Sequence, residues 1–96
     1  MDPLRERRTA VLAEEIAVMR ARLSLLAEEL TDRSRELEDS ELRLLIAETP
    51  VADAQRYRAA RGFRLVRHEV EALEARLAEL ERTHARPGQT GGGSRS

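Results

Sequence analysis

The feature that most constrains this chain is an unbroken alternation of three- and four-residue steps between apolar residues near its N-terminus. This spacing places the side chains along one edge of an α-helix, at positions a and d of a heptad repeat. The a positions are Ile16, Leu23 and Leu30, and the d positions are Leu12, Met19 and Leu26. An apolar edge of this kind has to be buried against another helix.

A second ladder with the same steps lies in the C-terminal half of the chain and supplies that partner. Its a positions are Phe63, Val70 and Leu77, and its d positions are Val66, Leu73 and Leu80. Between the two ladders, Thr49-Pro50 interrupts the helical pattern, because the residue before a proline is disfavoured in the α conformation. If the chain folds back there, every a residue faces a d residue, from Leu44 opposite Ala52 to Leu12 opposite His84.

This register predicts an all-α fold in which two long helices form an antiparallel coiled-coil hairpin. One continuous helix kinked at Pro50 is the competing prediction. Asp2 and Thr49 each precede a proline and are suited to accept hydrogen bonds from the first free amides of a helix. We therefore expect one hairpin domain, 1–87, with helix 1 over 3–47, a turn at 48–49 and helix 2 over 50–86. The Gly/Ser-rich residues 88–96 are expected to form a flexible tail.

The charges near the turn agree with antiparallel pairing. Helix 1 is acidic there and the facing part of helix 2 is basic, so we expect ion pairs between the two helices. Two layers of the seam carry arginine, namely Arg56 opposite Ser40 and Arg33 opposite Phe63. Because a buried guanidinium is costly, either these side chains extend outward or this end is held open for a partner.

Composition narrows the possible functions. Charged residues make up 36% of the chain and aromatic residues 2%, which is typical of a coiled coil. The sequence has no cysteine, and neither His68 nor His84 has a ligand spacing with a carboxylate pair. A hairpin also lacks a pocket that would exclude water. We expect no enzyme activity, no catalytic residue, no metal, no cofactor and no small-molecule substrate.

The sequence also predicts where the protein is located and whether it binds membranes or nucleic acid. The first residues lack the apolar core of a signal peptide, and the longest apolar run, 44–47, is far shorter than the roughly 20 residues of a membrane span. We expect a cytoplasmic protein without a membrane partner. A net charge of -1 argues against general binding of nucleic acid.

Further apolar residues lie outside the seam. Four recur every seven residues at position c of helix 1, and four more cluster near the turn. The first group is Leu4, Val11, Val18 and Leu25, and the second is Leu42, Leu45, Ile46 and Val51. Unless these are merely scattered surface residues, a second stripe predicts a second helical neighbour, which is either another copy of the chain or another helical protein. The main functional prediction is a protein–protein interaction or oligomerisation module.

Basic residues in the turn-proximal half of helix 2 give an alternative. The residues concerned are Tyr57, Arg58, Arg61, Arg64 and His68. Arginines of this kind bind phosphates, and a tyrosine among them stacks on a base, so this face is a candidate for nucleic-acid binding. The competing interpretation is that these arginines only pair with the acidic part of helix 1.

The segments Tyr57–Phe63 and Leu73–Leu77 together resemble the second hairpin helix of Gre-type transcript-cleavage factors, over about a quarter of the chain and with gaps around Gly62. That resemblance implies a coiled-coil hairpin that enters the secondary channel of RNA polymerase and presents acidic residues at its tip. Asp53 would match one tip acid, and Glu48 would act near it. The rest of the tip motif is absent from this sequence.

Overall fold

The computed structural model describes the backbone of residues 2–90 and the side chains of residues 2–85. This part of the chain contains two helices, α1 (Pro3–Ile46) and α2 (Pro50–Thr90), and no strand. The helices pack against each other as a helical hairpin, joined by residues 47–49. The all-α hairpin prediction is confirmed, and a continuous kinked helix is ruled out.

Both helices begin at the capping residues that the sequence predicts. The Leu4 N–H donates to Asp2 Oδ1 at 3.1 Å, and the Ala52 N–H donates to Thr49 Oγ1, also at 3.1 Å. In each case proline occupies the first helical position, where it loses no useful donor. The turn is therefore fixed by Thr49 and Pro50, which together define where α2 starts.

The C-terminal end of α2 differs from the prediction. The helix continues through Pro87 and Gly88 to Thr90 rather than ending near Arg86. A proline inside a helix keeps a helical φ near about −65°, but it removes one backbone hydrogen bond and its ring crowds the carbonyl four residues earlier. The predicted tail begins too early, because residues 88–90 are helical; its remainder, 91–96, lies outside the described residues.

Burial follows the two ladders. Every a and d position of α1 from Leu12 to Leu44 is buried or half-buried, as is every such position of α2 from Ala52 to Leu80. The sequence places His84 in the last layer of the seam, opposite Leu12, where it would either fill the layer or fray from it; in the structure it is exposed. An imidazole at the open end of the seam keeps its hydration, whereas burial without a hydrogen-bond partner would cost free energy.

The chain divides into two compact units. The terminal unit comprises the described residues 2–23 and 73–90, and its core is an aliphatic cluster. Three of its members are buried, Ile16, Leu77 and Leu80, and three pack against them, Leu12, Met19 and Leu23. The predicted proximity of Ile16 and Leu80 is thereby confirmed.

The turn unit, Ser24–Ala72, has a different interior. Its buried residues are smaller, namely Ser40, Ala52, Val66 and Val70. The Ser40 hydroxyl donates to the Leu37 carbonyl at 2.8 Å, which satisfies it within its own helix.

Arg33 shows how the turn unit accommodates a charged residue at a seam position. Its guanidinium extends outward to Glu29 at 3.7 Å and to Glu36 at 3.4 Å, and 41% of the side chain is exposed. A Cβ added to Gly62 would lie 3.4 Å from Arg33 Nη1. The Arg33 side chain therefore packs against Gly62 of α2 while its charge extends outward, which is one of the two arrangements that the sequence predicts.

Candidate functional site

The terminal unit carries an exposed apolar stripe along α1. We call Leu4, Val11 and Val18 the terminal stripe; they are 57%, 54% and 63% exposed. All three occupy position c of the heptad, which lies outside the seam. Since the seam already buries the a and d residues of this helix, the terminal stripe is a separate apolar surface.

A groove of about 630 Å³ lies beside two residues of this stripe. Leu4, Val11 and the half-buried Leu12 form its apolar lining from α1, and Thr83 and His84 face it from α2. Arg8 and Glu15 also border it. The exposed His84 thus takes part in the groove wall rather than in the seam.

The apolar residues predicted near the turn are exposed as well. Leu45 and Ile46 are the most exposed large apolar residues of the described chain, at 79% and 85%. The other predicted members of this unit are also exposed, Leu25, Leu42 and Val51. The hairpin leaves more than half of each of these residues exposed, so their full burial would require a partner.

Leu65 is an exposed apolar residue of α2 that the sequence reasoning missed. It lies at position c of the second heptad ladder, two heptads after Val51. The heptad spacing that predicts the apolar residues at position c of helix 1 also predicts Leu65 when it is applied to helix 2. Its exposure adds an apolar residue to the surface of the turn unit.

The basic face of the turn unit is exposed over its whole predicted set, Tyr57, Arg58, Arg61, Arg64 and His68. The predicted ion pairs between helices are not formed there. The salt bridges of the turn unit, such as those from Arg35 to Asp32 and from Arg67 to Glu71, run within one helix. The salt bridge that joins α1 to α2 among the described residues is Arg20–Glu81, in the terminal unit.

The helix-to-helix ion pairs fail for a geometric reason. A residue three or four positions away on the same helix is a closer partner than one across the seam. Arg67 also lies over the Phe63 ring, with its Cζ 5.6 Å from the ring centroid. Arg58, Arg61 and Arg64 occupy positions c, f and b of the heptad, which lie outside the seam, and none of them forms a salt bridge with a described residue.

The two candidate tip acids lie close together in the chain but in different settings. Glu48 is in the connection between the helices, and Asp53 is in the first turn of α2; both are exposed. The Asp53 N–H donates to the Thr49 carbonyl at 3.0 Å, as expected in the first turn of a helix. Within residues 2–90, no group of three or more potential metal ligands occurs.

Comparison with known proteins gives no relative. No protein-family model matches the chain, no curated protein matches it, and no solved structure matches it. In the part of the chain that the structure describes, neither helix is apolar over a stretch long enough to cross a membrane.

Proposed function

We propose that this chain is a non-enzymatic coiled-coil module that binds other helical proteins, including copies of itself, through apolar residues outside its seam. The observation that supports this function is the exposure of nine aliphatic side chains, from 54% to 85%, on two helices whose seam is already buried. Single exposed apolar residues are ordinary on a protein surface. Heptad spacing along α1 and clustering around the turn are not expected of scattered residues.

The test removes each surface separately. Val18→Glu places a charge in the terminal stripe, and replacing Leu45 and Ile46 by Ser makes the turn surface polar. We expect Val18→Glu to reduce self-association in analytical ultracentrifugation, and the Leu45/Ile46 variant to lose partners retained by a tagged wild-type chain. Ser24→Glu, an exposed position of α1 outside the stripe, is the matched control. Unchanged association in both variants would contradict the proposal.

A second candidate function is phosphate binding by the basic face of the turn unit. It is supported by Arg58, Arg61 and Arg64, which have no salt-bridge partner among the described residues. A nucleic-acid binder should retain RNA or DNA at low salt and lose it steeply as salt rises. Arg61→Glu with Arg64→Glu should abolish this retention, and a wild-type chain that retains neither nucleic acid would exclude the function.

The resemblance to Gre-type factors makes RNA polymerase a specific partner to test within this second function. If the chain acts in that way, Asp53→Asn or Glu48→Gln should suppress transcript cleavage by a stalled polymerase and leave binding to the enzyme intact. Absence of binding to polymerase would remove this role without affecting the module proposal.

A further inference from the structure

We propose that the terminal stripe is covered by the same stripe of a second copy of this chain, packed antiparallel about a two-fold axis through Val11. This inference rests on the proposed function, because it names the partner for one of its two surfaces. It is supported by the exposure of the stripe, by the groove beside it and by the charges that flank it.

The charges beside the stripe change sign at Val11. Residues three and four positions away are neighbours on a helix, so positions f and g flank position c on its two sides. Arg7 and Arg8 occupy these flanks before Val11, and Glu14 and Glu15 occupy them after it. All four are exposed, and none forms a salt bridge with a described residue.

An antiparallel copy placed on this stripe meets opposite charges on both flanks. Two-fold symmetry about Val11 places the f residues of one copy opposite the f residues of the other, and the g residues opposite the g residues, as in an isologous interface. Arg7 then faces Glu14 of the second copy, and Arg8 faces Glu15 of the second copy. The axis repeats both contacts, while Leu4 packs on Val18 and Val11 packs on Val11 between them.

Two other arrangements of two copies lose this complementarity. A parallel pair would set Arg7 against Arg8 and Glu14 against Glu15. An antiparallel pair with its axis midway between Val11 and Val18 would set each glutamate against itself. Like charges placed opposite each other raise the free energy of a dimer, so both of these arrangements are disfavoured.

An axis through Val18 also pairs opposite charges, but it places Leu4 opposite Asp32 of the second copy. It would leave Leu4, at the groove, without an apolar partner, although Val11 would meet Leu25 of the second copy. The axis through Val11 instead brings the second copy's Val18 onto Leu4, at the edge of the groove. Because the pairs are exposed, we expect the dimer to weaken as salt rises.

Cysteine cross-linking tests the position of the axis, since the chain has no cysteine of its own. A residue on a two-fold axis meets its own copy, so Val11→Cys should form a disulfide-linked dimer under mild oxidation. Leu4→Cys and Val18→Cys should each remain monomeric alone and should cross-link when mixed. A cross-link from Val18→Cys alone, with none from Val11→Cys, would overturn the proposed axis.

Charge exchange tests the flanks in a chain without added thiols. The variant Arg7→Glu/Arg8→Glu and the variant Glu14→Arg/Glu15→Arg should each sediment as monomers at concentrations where the wild type is a dimer. An equimolar mixture of the two should restore the dimer. Arg61→Glu/Arg64→Glu, the same change of charge in the turn unit, should dimerise as the wild type does. Circular dichroism checks that each variant retains its helices.

The outcomes separate this inference from the proposed function. If the wild type dimerises and both charge-exchange variants dimerise equally well, the Val11 arrangement is overturned and an oligomerisation module remains. A wild-type chain that stays monomeric at every concentration overturns the second copy as partner. The proposed function is then decided by the pull-down with the Leu45/Ile46 variant, because that experiment does not involve the terminal stripe.

Discussion

The terminal unit and the turn unit share one heptad pattern but fill it with different side chains. In the terminal unit, buried Ile16, Leu77 and Leu80 form an aliphatic cluster. In the turn unit, Ser40 and Ala52 are buried, and Arg33 occupies a seam position with its charge directed outward. Since the stabilisation from burial scales with the apolar area removed from water, the same geometry yields less stabilisation in the turn unit. The heptad repeat thus determines which positions of the two helices are in contact, and the size of the side chains at those positions determines how much their burial stabilises the fold.

The largest expected effect comes from truncating one seam leucine in each unit, which compares the packing of the two units directly. Leu77→Ala should reduce the free energy of unfolding by about 2–5 kcal/mol, because it opens a cavity in the aliphatic cluster. Leu44→Ala, at a half-buried position near the turn, should cost less than about 2 kcal/mol. Urea denaturation followed by circular dichroism measures both, and equal losses would show that the two units are packed alike.

The second prediction concerns the cap that starts α2 in the turn unit. Thr49→Ala removes the acceptor of the Ala52 N–H and should reduce stability by about 1 kcal/mol. Thr49→Ser keeps the acceptor and is the matched control. If the alanine and serine variants melt together, the turn is held by Pro50 and seam packing rather than by the cap.

The third prediction has the opposite sign. Gly62→Ala should raise the free energy of unfolding by about 0.5–1 kcal/mol, because alanine is the better helix former. The added Cβ meets only the flexible Arg33 side chain, with Nη1 at 3.4 Å and Cδ at 3.7 Å. Thermal melting measures the change. A destabilised variant would mean that the Arg33 position is rigid, and that the turn unit is more tightly packed than its small side chains suggest.

The smallest expected effect concerns the salt bridge between the helices of the terminal unit. The Arg20 side chain is 63% exposed and the Glu81 side chain 41%, so solvent screens their pairing, which should contribute less than about 1 kcal/mol. A double-mutant cycle with Arg20→Ala and Glu81→Ala isolates the coupling between the two side chains. A larger coupling would indicate that charge, and not only the aliphatic cluster, distinguishes the terminal unit from the turn unit.

Much of the fold was predictable because its determinants are local. The spacing of Ile16 and its neighbours defines the seam, and Asp2 and Thr49 with their prolines define both helix starts. The exposed apolar residues at the candidate surfaces were predicted from the same periodicity, with Leu65 omitted. The ion pairs between Arg58–Arg64 and the acidic part of helix 1 were predicted wrongly, because these arginines lie at heptad positions b, c and f, outside the seam, where they do not face helix 1.

The sequence by itself determined the hairpin, its turn and its register, since a period of three and four residues interrupted at one proline admits few arrangements of two helices. Only the tertiary structure decided that Arg33 extends over Gly62 and that His84 leaves the seam. Those outcomes depend on side-chain reach and on competition between nearby partners in space, and periodicity carries no information about either.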